Sequence, residues 1–186
     1  MTLNDLSTRA LVLIIDHLEA TAEMARSASA KRVDRAAAAL VNAAKIFEMP
    51  IVVSGVGMGE TLKLTPAVRE ALGDTQVHLR ATTDSFDDPA LRGAIEATGR
   101  RTVLIAGILT EIAVQRAALG GKERGYETRV VLDACNGASE RSEDAAVHRM
   151  NQAGVILSSV PAVIGELAVD FSDTRTQKLF GLFAQL

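Results

Sequence analysis

The chain has one cysteine, no tryptophan, one tyrosine and four prolines in 186 residues. A lone cysteine excludes an internal disulfide and suits a reducing compartment. Aromatics make up only 3% of the chain, which argues against the ring platforms that stack single-stranded nucleic acid. Twenty basic residues against 23 acidic ones leave a net charge of −3; a phosphate-binding surface needs the opposite balance. No apolar run approaches the roughly 18 residues of a membrane span, and the opening MTLNDLSTRA holds no apolar signal region. The expectation is a cytoplasmic protein with neither nucleic acid nor membrane as a partner. The three histidines, His17, His78 and His148, stand far apart in sequence and share only one cysteine as a possible co-ligand, so no metal site is expected.

What the chain does have is length enough for one domain with a real core and a regular alternation of apolar runs with helical patterns. ALVLIID (10–16), IVVSGV (51–56), TVLIAGI (102–108), TRVVLDA (128–134) and GVILSSV (154–160) read as strands, with QVHL (76–79) a shorter one. Between them, 29–49 places Val33, Ala37, Leu40, Ala44 and Phe47 at helical spacing before Pro50. TPAVREALG (65–73) has Thr at the cap, Pro in the first turn and Gly at the end; DDPALRGAIEATG (87–99) has an Asp cap. Helices are further expected over 111–124, 140–152 and near the C-terminus. This order predicts an α/β fold: one three-layer α/β/α domain over 1–186 with a mostly parallel, Rossmann-like sheet. Such sheets bind ligands beyond the carboxyl ends of their strands, so candidate site residues fall at Asp16, 54–59, 79–80, 108–113, 133–136 and 158–159.

GVGMG (55–59) follows a strand but is spaced G-x-G-x-G and does not open a helix; it reads as an active-site or interface loop, not a dinucleotide fingerprint. His148 reads as a surface residue and His78 as a packed one. His17 either shapes a pocket or is held by local hydrogen bonds. Asp16 ends an apolar strand, where an acid is tolerated only if paired or hydrogen-bonded. It is either an N-cap for the next segment of the chain or a pocket carboxylate set by a nearby cation. The apolar end KLFGLFAQL (178–186) fits either a core or a subunit contact.

Taken together, LVLIIDHL, then VLIAGILTEIAVQRAALGGKERGYETRVVLDACNGASE, then DAAVHRMNQAGVILSSV resemble the isochorismatase-like family, also called cysteine hydrolases, over 11 to about 169. The Asp-His after the first strand, the Thr-Glu at 110–111 and the helix around Arg149-Met150 resemble its YcaC-like subgroup. The resemblance implies an Asp that takes a thiol proton, a Lys that holds the Asp and the substrate, and a Cys that attacks an amide-like carbonyl. That Cys stands on a helix N-terminus whose N–H groups lower its pKa and form an oxyanion hole. A cis peptide at Leu109–Thr110 is also implied. The Asp falls on Asp16, the Lys position on Arg80 and the Cys position on Ala113. His17, Met58, Phe86, Leu109, Thr110 and Ile112 fall where substrate would be bound. The loop after the second strand lacks the histidines of the metal-dependent relatives, so neither metal nor cofactor is expected. Family members form homo-oligomers, and the same is expected here.

Alanine has no lone pair, so covalent catalysis from position 113 is excluded. Cys135 reads by default as a packed thiol. Arg in place of Lys stays protonated and suits a ligand carboxylate better than proton shuttling. Three readings stay open: a thiol-independent hydrolase with Asp16 as acid, a non-catalytic binding or assembly protein on the same fold, and a Cys→Ala replacement introduced into an active enzyme. An Asp16–Arg80 ion pair is expected to lower the Asp16 pKa, which counts against the first.

Overall fold

A computed structural model describes residues 6–57 and 62–186. Its six strands are β1 (Ala10–Ile15), β2 (Ile51–Val56), β3 (Val77–Arg80), β4 (Thr102–Ile108), β5 (Glu127–Asn136) and β6 (Ile156–Ser158). They form one sheet in the order β3-β2-β1-β4-β5-β6, every pairing parallel. The chain winds outward from β1 to β3, then returns to the other side of β1 for β4. Neighbouring crossovers therefore diverge between β1 and β4, and a crevice opens at their carboxyl ends.

Strand alternation divides the core in two. Val12 and Ile14 of β1 and Leu104 and Ala106 of β4 face a cluster with α3 (Ala30–Ile46), α4 (Pro66–Leu72), α8 (Val160–Leu167) and α9 (Thr174–Leu182). Leu11, Leu13 and Ile15 of β1 and Val103 and Ile105 of β4 face the other, with α5 (Pro89–Ala97), α6 (Gln115–Glu123) and α7 (Glu140–Gln152). Two short helices, α1 (Leu6–Arg9) and α2 (Glu19–Ala22), flank β1. On α3, buried Ala36–Ala39, Ala43 and Ala44 form a low surface, which lets the helix approach the sheet closely.

Local signals hold at several ends. Asp88 Oδ1 accepts from Ala90 N and Leu91 N at 3.0 Å, and Ser139 Oγ accepts from Ser142 N at 3.2 Å. Thr65 occupies the expected cap position of α4 without capping it. The acceptor comes instead from α3, where Asp34 takes Ala67 N at 2.9 Å and Val68 N at 3.1 Å. A charged acceptor from a packed neighbour displaces the weaker hydroxyl. The strand expected over 154–160 shrinks to Ile156–Ser158, because Ser159 caps α8 through Ala162 N and Pro161 sits in its first turn. No helix among the described residues is long and apolar enough to cross a membrane.

The C-terminal stretch, expected in a core or a subunit contact, is part of the core on one side and exposed on the other. Leu179 and Leu182 are buried in the core and Leu186 packs against it. Phe180 and Phe183 are 45% and 42% exposed and stack, with Phe171, at 5.7 and 5.9 Å between ring centroids.

Candidate functional site

The carboxyl ends of β1, β2 and β3 converge on one buried ion pair. Asp16 follows β1 directly and adopts φ 52°, a left-handed backbone that Asp tolerates better than most residues. Its amide donates to Ser54 O at 2.9 Å, which turns the carboxylate toward β2 and β3. There Oδ1 accepts from Val56 N at 2.8 Å and Oδ2 accepts from Arg80 Nη2. The two side chains are 6% and 2% exposed. The N-cap reading of Asp16 falls: Leu18 stands at the cap of α2, and the Asp16 carboxylate turns the other way.

Burial pushes the Asp16 carboxyl up from its ordinary value, while the Arg80 charge and the Val56 N–H pull it down; the net direction is up. This corrects the expectation that ion pairing lowers it. A carboxylate with so little water loses more hydration than one guanidinium and one amide return.

Position 113 follows the end of β4. Leu109 takes φ 60° and ψ 66°, a strained choice for a leucine, and starts a π-turn over Thr110–Val114 that leads into α6. Its amide donates to Asn136 O at 2.7 Å, anchoring the strain to β5. Gly107 lets the turn close, since a Cβ there would lie 2.7 Å from Ile15 O and from Val114 Cγ2. The peptide after Leu109 is trans; no cis bond occurs among the described residues. Left-handed Leu109 makes the bend that a cis bond was expected to make.

The N–H groups expected to form an oxyanion hole are engaged. Ile112 N and Ala113 N both donate to Leu109 O, at 2.9 and 3.1 Å. Ala113 is buried, and Ile112 is 47% exposed. Thr110 Oγ1 donates to Glu143 Oε1 at 2.5 Å. Glu111 Oε1 accepts from Ala138 N at 2.9 Å and Ser142 Oγ at 2.7 Å. The Thr-Glu pair thus ties the π-turn to the start of α7. Thr110 is a fastener of the turn in this geometry, a role its sequence position did not reveal.

Other expected residues are placed differently. His17 is buried; its Nε2–H donates to Ala134 O at 3.1 Å, and burial lowers its pKa to about 4. The imidazole is neutral near pH 7, with Nδ1 unpartnered among the described residues. Phe86 does not line the crevice: its ring packs within 2.8 Å of a Cβ built on Gly121, and 5.2 Å from Tyr126, in the core beneath α6. Residues 120–121 sit two turns down α6 from Ala113, where helix and loop meet too closely for any side chain at 120 or 121. Met58 lies outside the described residues. His78 is part-exposed on β3 and His148 exposed on α7. No metal-ligating cluster occurs among the described residues. Asn136, a candidate only by its place at a strand end, is central to the turn. It is buried, and its side chain accepts from Ser27 Oγ and Ala28 N while its carbonyl holds Leu109.

Cys135 is sealed in the core. Its Sγ donates to Val131 O at 3.3 Å, it is buried, and burial pushes its pKa up to about 12. A thiolate there is inaccessible at neutral pH. Native protein treated with excess acrylamide at about pH 7.5 is expected to stay unmodified by mass spectrometry, whereas protein unfolded in guanidinium takes up one equivalent.

A groove of about 980 Å³ lies elsewhere, between α2, α3 and α4, lined by residues such as Ala22, Arg26, Asp34, Pro66 and Glu70. It contains none of Asp16, Arg80 or Ala113, and its carboxylate Asp34 is occupied in capping α4.

An all-parallel sheet in this order with helices on both faces defines a three-layer, Rossmann-like α/β protein, and its strand ends gather an acid after β1, a cation at the end of β3 and a tight turn after β4. The chain belongs to the isochorismatase family, whose domain model matches residues 10–162. Among its relatives, the probable hydrolase YcaC of Escherichia coli is 30% identical over 164 residues, 87% of this chain and 79% of that protein. The crystal structure of E. coli YcaC, described as an octameric hydrolase of unknown specificity, superposes with a TM-score of 0.87 at 28% identity. The match covers 95% of this chain and 88% of that one. YcaC from Pseudomonas aeruginosa, solved with hexane-2,5-diol and covalent acrylamide, gives a TM-score of 0.87 at 26% identity, covering 98% and 93%.

Proposed function

We propose that this chain is an isochorismatase-family protein that acts on a small molecule at the Asp16–Arg80 pair without a cysteine nucleophile. The supporting observation is that the buried acid–cation pair is intact while Ala113 stands within the turn after β4. Amide hydrolysis through a covalent thioester needs a thiolate beside a base, and neither Ala113 nor buried Cys135 supplies one. What the site retains is a carboxyl whose pKa is raised by burial, which suits proton transfer closer to neutral pH than an ordinary aspartate. Asp16 is then the proton donor or acceptor, Arg80 the group that orients it and the ligand.

One observation favours a second reading, in which the protein binds its ligand and does not turn it over. Donors that would stabilise an oxyanion are already bonded to Leu109 O, and an engaged donor contributes little to a transition state. Ala113→Cys separates these readings from a simple loss of the thiol. The variant is expected to fold and to show no hydrolysis of small amides, because the thiol would return to a turn whose N–H groups are taken. Efficient amide hydrolysis by Ala113→Cys would mean that only the cysteine is missing, and would sink both readings.

For assembly, we propose a homo-oligomer, as YcaC is in E. coli, with the exposed Phe171–Phe180–Phe183 stack as part of a subunit contact. Its apolar rings find no cover among the described residues of one chain. We also propose a cytoplasmic location, which the single, buried cysteine supports.

A further inference from the structure

Arg80 is over-provided with donors. Its guanidinium is 2% exposed and spends Nη2 on Asp16, while Nε and Nη1 are buried without an acceptor among the described residues. Buried charged donors left unpaired are costly and uncommon. The hydroxyl of Ser54 is also buried and unpartnered. Ser54 pairs with His78 in the sheet, and Val56 with Arg80; with side chains alternating, Ser54 and Arg80 lie on one face. That face belongs to the core cluster that contains Ala113.

We propose, building on the acid–base role of Asp16, that the ligand carries a single carboxylate that binds the free N–H groups of Arg80, and that Asp16 takes up one proton from solvent as it binds. Charge decides this. The pair by itself is neutral: one guanidinium, one carboxylate. A second carboxylate on the same guanidinium leaves one uncompensated negative charge in a site with almost no water. Protonating Asp16 restores neutrality. The final state holds ligand carboxylate, guanidinium cation and neutral Asp16 acid, the proton having moved from water to an Asp16 oxygen. A phosphate dianion would leave a residual charge even after that uptake, so the balance selects a monoanion. The ligand would thereby create the acid that a later proton transfer uses.

Among the described residues no other group around Asp16 is placed to take the proton instead. On β1, His17 is neutral and its Nε2–H is held by Ala134 O. From β2 comes only the Val56 N–H, and from α2 only the Thr21 hydroxyl, bonded to the Asp16 carbonyl. Acids of the π-turn and α7, Glu111 and Glu143, are turned to Ala138, Ser142 and Thr110.

The test is calorimetric titration of the purified protein with benzoate and acetate in two buffers of different ionisation enthalpy, with benzamide and inorganic phosphate as controls. At least one carboxylate is expected to bind with uptake of about one proton, its affinity falling about tenfold per pH unit above the titration of free Asp16. Asp16→Asn, which mimics the protonated acid, is expected to bind the same carboxylate more tightly at about pH 7.5 with no proton uptake and no pH slope. Arg80→Gln, checked for folding by circular dichroism, is expected to lose carboxylate binding. Carboxylate binding without proton uptake, a slope that survives in Asp16→Asn, stronger binding of phosphate, or no carboxylate binding by folded protein would each overturn the proposal. If carboxylates fail while a neutral substrate is turned over with dependence on Asp16, this inference falls and the acid–base reading stands.

Discussion

Arg80→Met is expected to destabilise the protein by about 3–5 kcal/mol near pH 7.5, the usual cost of stranding one partner of a buried ion pair. For a chain of 186 residues that corresponds to a fall in Tm of roughly 6–20 °C. Methionine fills similar volume, so the loss is electrostatic: among the described residues the Asp16 carboxylate keeps only the Val56 N–H. The pH dependence fixes the cause. Removing the cation takes away the largest influence lowering the Asp16 pKa, so the folded-state value rises further above the unfolded value of about 3.9. Between those two values the folded state holds more protons than the unfolded one, and stability falls as pH rises. The deficit is therefore complete above the folded pKa and shrinks as the pH drops toward about 4. The double variant Asp16→Asn/Arg80→Met removes the stranded charge and should recover most of the loss near pH 7.5. Thermal melts of the wild type and the two variants from about pH 5 to 8 measure this; an Arg80→Met deficit that does not change with pH would contradict it.

Gly120→Ala is the second large effect, although it adds a single methyl group to a helix that glycine weakens. A Cβ at 120 would stand 1.9 Å from Asp84 Oδ2, far inside any allowed contact. Asp84 cannot yield easily: it is buried, its Oδ1 accepts from Phe86 N at 2.9 Å, and its carbonyl accepts from Thr82 Oγ1 at 2.7 Å. Helix propensity gains about 1 kcal/mol from the substitution, while overpacking against a fixed buried carboxylate costs about 3 kcal/mol or more. The net expectation is a loss of roughly 2 kcal/mol or more, read from the midpoint of urea unfolding. An unchanged or raised midpoint would show that the loop carrying Asp84 and Phe86 moves freely.

Much of this architecture was legible in the sequence because its causes are local. The apolar runs of β1, β2 and β4 are short, uninterrupted and buried on both faces. Asp88 and Ser139 cap the helices that begin after them. The features that escaped the sequence are set by groups distant in the chain. Asp34 caps α4 from 33 residues away, and the π-turn depends on Asn136 holding a left-handed Leu109. The helix α8 escaped for another reason. Its first residues continue the apolar pattern of β6, although Ser159 followed by Pro161 carried the start signal. At the site, an apolar strand ending in an acid pointed to Asp16, and the family resemblance pointed to Arg80 and Ala113. The direction of the Asp16 shift differs from the sequence expectation because a sequence shows charge but not how much water remains around it. Likewise, the Arg80 donors left without an acceptor among the described residues and the engaged N–H groups at 112 and 113 exist only in the folded chain.

Turnover in parallel by the wild type and Asp16→Asn, on isochorismate and on a panel of small amides and nitriles, bears most directly on whether this site works through Asp16 without a thiol. The account predicts product from a carboxylate-bearing vinyl ether with the wild type, none with Asp16→Asn, and no amide hydrolysis by either. Hydrolysis of an amide, or turnover that survives Asp16→Asn, would contradict it.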